Sequence, residues 1–156
     1  MAGKKIEGVE LIPLKTNVDD RGYLIVLASV GRPDAFNVPV IREVYFVGNF
    51  GKGVIRAFHK HEKLVDYFFI GHGAAKFVLV DDRKDSPTYK EINTYVISAR
   101  NPSLLVVPAG VYHGWMSLED DTQMVSIADQ TYNKDKPDEV RIPPDSFGDV
   151  WTVKGR

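Results

Sequence analysis

The sequence predicts an all-β protein, a sandwich or barrel of short strands. The chain has 156 residues, the usual size of one domain with its own core, so we treat residues 1–156 as a single domain. Its apolar segments are short, rich in Val, Ile, Tyr and Phe, and separated by turns of Gly, Pro, Asp and Asn. No segment shows the apolar periodicity expected of a helix of three turns.

The N-terminal strand region contains the first three predicted strands. Residues 9–14 and 23–28 are apolar segments on either side of the polar turn 17–22. A loop with one glycine and two prolines follows, and residues 41–47 form the third strand. The glycine-rich turn 48–53 then leads into the centre of the chain.

The central and C-terminal parts alternate in the same way. Seven further strands are predicted, at residues 54–58, 65–70, 75–80, 89–97, 104–107, 113–117 and 122–128. The polar segment 81–87 is the longest turn between them. From about residue 129 to 156 the chain is polar and interrupted by prolines, so we expect an extended C-terminal arm with at most a strand at 139–142.

Composition excludes several classes of function. The formal net charge is −1, which favours neither nucleic acid nor an anionic membrane as partner. The chain has no cysteine, so it has neither disulfides nor thiolate metal sites. The N-terminus is charged and no long apolar segment follows it. We therefore expect a cytoplasmic protein that binds neither nucleic acid nor membranes.

Two stretches carry most of the chemistry. Residues 53–73 place His59, Lys60 and His61 between two β-prone segments. Because alternate residues of a strand point to the same face, both imidazoles would point one way and Lys60 the other. The second stretch, residues 107–115, contains Pro-Ala-Gly-Val-Tyr-His-Gly-Trp, and we expect the two stretches to line the mouth of the barrel.

These stretches resemble the two motifs of cupins, which are double-sheet barrels of the jelly-roll kind (double-stranded β-helices). In metal-binding cupins, two histidines, an acid and a later histidine hold one divalent ion, and such ligands suit iron, nickel, manganese or zinc. The corresponding residues here are His59, His61, Asp66 and His113, with aspartate where glutamate is usual. We expect no metal, because a second resemblance points to metal-free cupins.

That second resemblance is to the dTDP-4-dehydrorhamnose 3,5-epimerases and covers residues 19–151. The shared segments are Asp20-Arg-Gly-Tyr, Gly53-Val-Ile-Arg-Ala-Phe-His, Lys63-Leu-Val, Val80-Asp-Asp-Arg-Lys-Asp-Ser-Pro-Thr-Tyr, Pro108-Ala-Gly-Val-Tyr-His-Gly-Trp and a late Tyr132. The resemblance implies a homodimer without cofactor. It also implies epimerisation at C3, C5 or both of a nucleotide-linked 4-keto-6-deoxy sugar, most often dTDP-linked.

The chemistry of such a reaction explains the residue types. Removal of a proton beside the ketone needs a base that works near neutral pH, and the resemblance assigns this role to His59. The enolate oxygen needs a positive charge or a donor, which would be Lys63. Arg21 and Arg56 would bind the diphosphate, since the guanidinium fork matches phosphate oxygens. His113 would line the site.

The sequence departs from the epimerases at the acid. The usual tyrosine position holds Ser126, and the segment with the aspartate that orients the base would lie beyond Trp151. Tyr132 is then the first candidate for the acid, and His61 is the second because it shares a strand face with His59.

A related family offers an alternative function. Residues 41–47 and 56–64 resemble the dTDP-sugar 3,4-ketoisomerases, whose Arg-x-x-His-x-His signature matches residues 56–61 and whose preceding strand carries a tyrosine, here Tyr45. In that case His59 and His61 would move protons on one face, and Tyr45 would contact the substrate. A metal-dependent or non-catalytic cupin is a further alternative.

Overall fold

The computed structural model describes residues 3–155 and contains twelve β-strands, with no helix among those residues. The strands are β1 (Glu10–Pro13), β2 (Thr16–Asp19), β3 (Gly22–Ile25), β4 (Glu43–Asn49), β5 (Ile55–Lys60), β6 (Asp66–His72), β7 (Ala74–Asp81), β8 (Ile92–Ser98), β9 (Ser103–Val107), β10 (Val111–Ser117), β11 (Thr122–Ala128) and β12 (Val140–Arg141). Within the described chain, no segment forms a helix of the length and apolarity required to cross a membrane.

The strands form two antiparallel five-stranded sheets and a small hairpin. One sheet has the order β1-β9-β6-β11-β4 and the other β12-β5-β10-β7-β8, while β2 pairs with β3. From β4 to β7 and again from β9 to β11, each strand lies in the sheet opposite to its predecessor. This arrangement is a jelly-roll sandwich, which confirms the predicted fold class.

Most strand boundaries lie close to those predicted, and two differ for local reasons. The turn predicted at residues 17–22 is shorter in the structure, because residues 16–19 form β2 and residues 22–25 form β3, which leaves Arg21 at its tip. The strand predicted at 89–97 begins only at residue 92. Backbone bonds from Tyr89 to Ser86 and from Glu91 to Thr88 continue the preceding turn to that point.

Apolar side chains fill the space between the sheets and cover both outer faces. The inner core includes Phe68, Phe77, Leu79 and Leu105, all nearly inaccessible. The C-terminal segment packs on the outer face of the β5 sheet, where Trp151 contacts the ring of Phe58. Segments around residues 25–38 cover the other sheet in the same way. The two sheets are thereby fixed relative to each other, and so are the side chains between them.

The polar segment after β7 is held by one buried carboxylate. Asp81 accepts hydrogen bonds from Arg83 Nε at 2.8 Å, the Ser86 hydroxyl at 2.6 Å and the Thr88 hydroxyl at 2.7 Å. Burial alone would raise the pKa of Asp81, but these donors outweigh burial and hold it well below its usual range. The Asp-x-Arg and Ser-Pro-Thr parts of the segment therefore hold this turn in one conformation through their hydrogen bonds to Asp81.

Replacement of Asp81 by asparagine is expected to lower the free energy of unfolding by about 3 kcal/mol, since it removes one partner of a buried ion pair. The depressed pKa adds stability above the unfolded-state value near 3.9, and that stability is lost as the pH falls toward the folded-state value. Urea unfolding at pH 7 and at pH 3 checks this. Between these two pH values, the free energy of unfolding should fall less for the variant than for the wild type. An equal fall in the free energy of unfolding for both proteins would contradict this structural role of Asp81.

Candidate active site

A cavity of about 430 Å³ lies between the two sheets, within the range of small-molecule sites. Strands β4, β6 and β11 contribute one wall, and β5, β10 and β12 contribute the other. The segment after β11 contributes residues 130–133 at the rim. The deeper part is apolar, with Val47, Leu64, Phe68, Trp115 and Met124. Most of the remaining lining residues are polar, and many of them lie between residues 130 and 141.

His59 on strand β5 and His61, directly after its end, both point to the cavity, which is the common orientation predicted for them. His59 and His61 line it, whereas the Lys60 ammonium lies 2.5 Å from Asp82 Oδ2 and over the ring of Tyr112. The alternation of the strand thus separates the imidazoles from the lysine charge. A ligand in the cavity would contact the two imidazoles from inside the barrel.

The Nδ1 atom of His59 lies 2.5 Å from Glu139 Oε1. Glu139 immediately precedes β12, which pairs with β5 and places Arg141 opposite His59. Arg141 also binds Glu139, at 2.8 Å. Partial burial opposes the charge of Glu139, but the bonds from Arg141 and His59 outweigh it and lower its pKa. Glu139 is therefore an ionised carboxylate that fixes the Nδ1–H tautomer of His59, leaving Nε2 free to take a proton.

The neighbouring residue, Asp138, positions His61. Its carboxylate accepts the backbone N–H groups of residues 62–64, at 2.9 to 3.1 Å, and its backbone carbonyl accepts the Nδ1–H of His61. Burial would raise the pKa of Asp138, but the backbone donors outweigh it and lower that pKa. Two consecutive residues therefore orient both histidines of the first motif. Neither residue was predicted as part of the site, although a strand at 139–142 was expected.

His61 and His113 meet at a buried carboxylate. Their Nε2 atoms lie 3.4 and 3.5 Å from Asp66 Oδ2, and the Ser126 hydroxyl donates to Oδ1 at 3.4 Å. Burial raises the pKa of Asp66, and burial with the nearby charge of His61 lowers the pKa of His113 to about 3. His113 is therefore neutral at physiological pH, in line with its predicted position in the site.

Close backbone packing explains Gly114, the second glycine of the second motif. A side chain on Gly114 would place its Cβ 2.3 Å from that of Ala57, so β5 and β10 approach closely only because residue 114 is glycine. The pairing of β5 with β10 shifts between His113 and Trp115 at this point. This local irregularity sets the position of the His113 ring beside the rings of His59 and His61, at centroid distances of 6.3 and 5.6 Å.

Arg56 lies at the rim of the cavity with an exposed side chain. Its Nε donates to Asn49 Oδ1 at 2.7 Å, and Asn49 is itself buried and bonded to Val54 and Ser117. These partners are neutral, so the guanidinium charge stays available to an anion. Asn49 is a positioning residue that was not predicted from the sequence, because its contact with Arg56 depends on how β4 and β5 are placed after the turn between them.

The other predicted residues occupy different places. Tyr45 lines the cavity from β4, and Tyr132 lines it from the segment after β11, with 64% of its surface exposed. Lys63 has an exposed side chain outside the cavity lining. Arg21 is at the tip of the β2–β3 hairpin, bonded to Asp19, and also lies outside the lining. Within one chain, the structure thus brings together the histidines, Arg56 and the two tyrosines, but neither Lys63 nor Arg21.

Three residues have the geometry of a metal site. Ligand atoms of His61, Asp66 and His113 all lie within 4.8 Å of one another. Two imidazoles and a carboxylate fit a divalent transition metal, and the two histidine–carboxylate separations of 3.4 and 3.5 Å match a tetrahedron with ligands at about 2.1 Å. His59, the fourth residue of the cupin-like set, is not in this group.

Comparison with known proteins gives consistent results. Residues 3–154 match the family described as dTDP-4-dehydrorhamnose 3,5-epimerase. The spore coat polysaccharide biosynthesis protein SpsL of Bacillus subtilis (strain 168) is 37% identical, with coverage of 97% of this chain and 99% of that protein. The probable low-salt glycan biosynthesis epimerase Agl13 of Haloferax volcanii is 33% identical, with coverage of 90% and 89%.

A solved structure with the same fold is the dTDP-4-dehydrorhamnose 3,5-epimerase of Bacillus anthracis, determined with TDP and PPi bound. Its TM-score is 0.80 at 24% identity, and the match covers 97% of this chain and 91% of that one.

Proposed function

The chain belongs to the dTDP-4-dehydrorhamnose 3,5-epimerase family, and we propose that it epimerises C3, C5 or both of a nucleotide-linked 4-keto-6-deoxy sugar. The observation that carries the proposal is the pair of His59 and Glu139 on the wall of a cavity whose rim bears Arg56 and Arg141. The product would serve polysaccharide biosynthesis, as the names of the two relatives indicate for those proteins. The proposal includes the cytoplasmic location expected from the sequence.

The base in this proposal is His59. Its Nδ1–H is held by Glu139, so Nε2 can take the proton from the carbon beside the ketone, and Glu139 stabilises the imidazolium that forms. The electrons of the broken C–H bond pass into the enolate. The apolar floor of the cavity limits competing water around that carbanion-like state.

The diphosphate would bind at the cationic rim. Arg56 has only neutral partners there, and Arg141 and Lys136 also line the cavity. A diphosphate at the rim would direct the sugar inward, toward the histidines. dTDP is the nucleotide we propose, in line with the family. The role of Lys63 at the enolate stays a prediction, to be tested by Lys63→Met.

The test is turnover of dTDP-4-keto-6-deoxyglucose followed by proton NMR. We expect new signals from a sugar inverted at C3, at C5 or at both. Unchanged substrate after prolonged incubation with stoichiometric protein would overturn the proposal.

A 3,4-ketoisomerase is the second candidate, because His61 lies beside His59 on the same wall and could return a proton to the same face. The same NMR spectrum separates it, since its product is a 3-keto sugar. Elemental analysis of the purified protein tests a metal-dependent cupin, which would hold its ion at His61, Asp66 and His113.

We further propose a homodimer. The β2–β3 hairpin exposes Val18, Tyr23 and Leu24, and edge strand β4 exposes Val44 and Phe46, each with more than half of its surface accessible. A partner chain would cover these apolar side chains and bring Arg21 toward the neighbouring cavity.

Light scattering at micromolar concentration is expected to give about twice the chain mass, and Phe46→Asp should shift the protein toward monomer because a buried charge opposes association. A wild-type mass of one chain would contradict the dimer.

A further inference from the structure

Epimerisation needs a proton donor on the side of the carbon opposite to the base, and this inference rests on the proposed epimerase function. The position at which the family usually has a tyrosine holds Ser126. That serine is completely buried, and its hydroxyl is bonded to Asp66. The proton donor must therefore be another residue of the cavity.

Strand pairing places a tyrosine directly opposite Ser126. In the antiparallel pair of β11 and β4, Ser126 is the register partner of Tyr45. Such partners carry their side chains on the same face of the sheet, with Cβ atoms about 5 Å apart. Glu43 and Val47, two residues on either side of Tyr45, also line the cavity, so this face of β4 points inward.

Tyr45 and His59 belong to opposite walls. Strand β4 lies in one five-stranded sheet and β5 lies in the other, with the cavity between them. A sugar ring held between the sheets would present one face to His59 and the other face to Tyr45. His61 follows directly after β5, the strand that carries His59, and Tyr132 lies outside both sheets with most of its surface exposed.

We infer that Tyr45 is the general acid of the epimerisation. His59 Nε2 takes the proton, and the electron pair of the C–H bond forms the C=C bond of the enolate. The O–H proton of Tyr45 then adds to the opposite face of that carbon while the C=O bond reforms. The phenolate regains a proton from water and the imidazolium releases one, so that protons balance over the cycle.

The surroundings of Tyr45 keep its phenol protonated at neutral pH. Partial burial, together with the nearby Asp66 carboxylate, raises the pKa of Tyr45 to about 12, so the phenol is protonated at neutral pH. It also keeps 41% of its surface accessible, which allows exchange with water after each turnover.

The test compares Tyr45→Phe, Tyr132→Phe and the matched control Tyr89→Phe, which removes a hydroxyl outside the cavity lining. Each is incubated with dTDP-4-keto-6-deoxyglucose in D2O, and NMR follows both deuterium uptake and product. Tyr45→Phe is expected to lose about 10²–10⁴-fold in product formation while deuterium uptake stays within a few fold of wild type. Retained uptake also shows that the variant is folded.

Product formation by Tyr45→Phe at the wild-type rate would overturn the inference, as would a loss confined to Tyr132→Phe. Loss of both uptake and product in Tyr45→Phe would also overturn it, provided that the variant melts at the wild-type temperature. A wild-type protein that shows neither uptake nor product would instead refute the proposed function.

Discussion

Replacement of His59 by asparagine is expected to reduce deuterium uptake from D2O into the substrate by about 10²–10⁴-fold. Asparagine keeps a polar side chain of similar size, but it cannot accept the proton from carbon at neutral pH. Binding of dTDP, measured by calorimetry, should change little because the cationic groups at the rim remain in place.

The matched control is His72→Asn. His72 is exposed beyond the cavity lining and bonds the backbone carbonyl of Asp121, so its loss should leave uptake unchanged. Near-normal deuterium uptake by His59→Asn would contradict the assignment of His59 as the base, even if the variant forms less product.

The second large effect is expected for Glu139→Gln. Glutamine preserves the shape of the side chain but removes the anion that stabilises the imidazolium of His59, so kcat should fall by about 10²-fold or more. KM for the nucleotide sugar should change much less.

A purely structural role for Glu139 would give a different result. It would lower the melting temperature and leave kcat per folded molecule nearly unchanged, which would contradict the assignment of Glu139 to the base.

The sequence was sufficient for the fold and for the residues that act within a local motif. Short β-branched segments between turn residues predicted most strands, and strand alternation predicted that His59 and His61 share a face opposite to Lys60. These features depend on neighbouring residues, so that one sequence suffices to read them.

The residues that the sequence did not reveal act across the chain. Glu139 reaches His59 from 80 residues away, and it does so because β12 pairs with β5. Tyr45 was associated with substrate only by resemblance, and its relation to Ser126 requires the register of β4 and β11. Such pairings are set by packing of the whole sandwich, and a single polar segment carries no signal for them.

The most direct test of the central claim is deuterium uptake by the wild-type protein, followed position by position. In D2O with dTDP-4-keto-6-deoxyglucose, we predict that deuterium enters at C3, C5 or both, and that the inverted sugar carries deuterium at the inverted carbon. Full retention of hydrogen at both carbons, under conditions where the protein binds dTDP, would contradict proton abstraction beside the ketone.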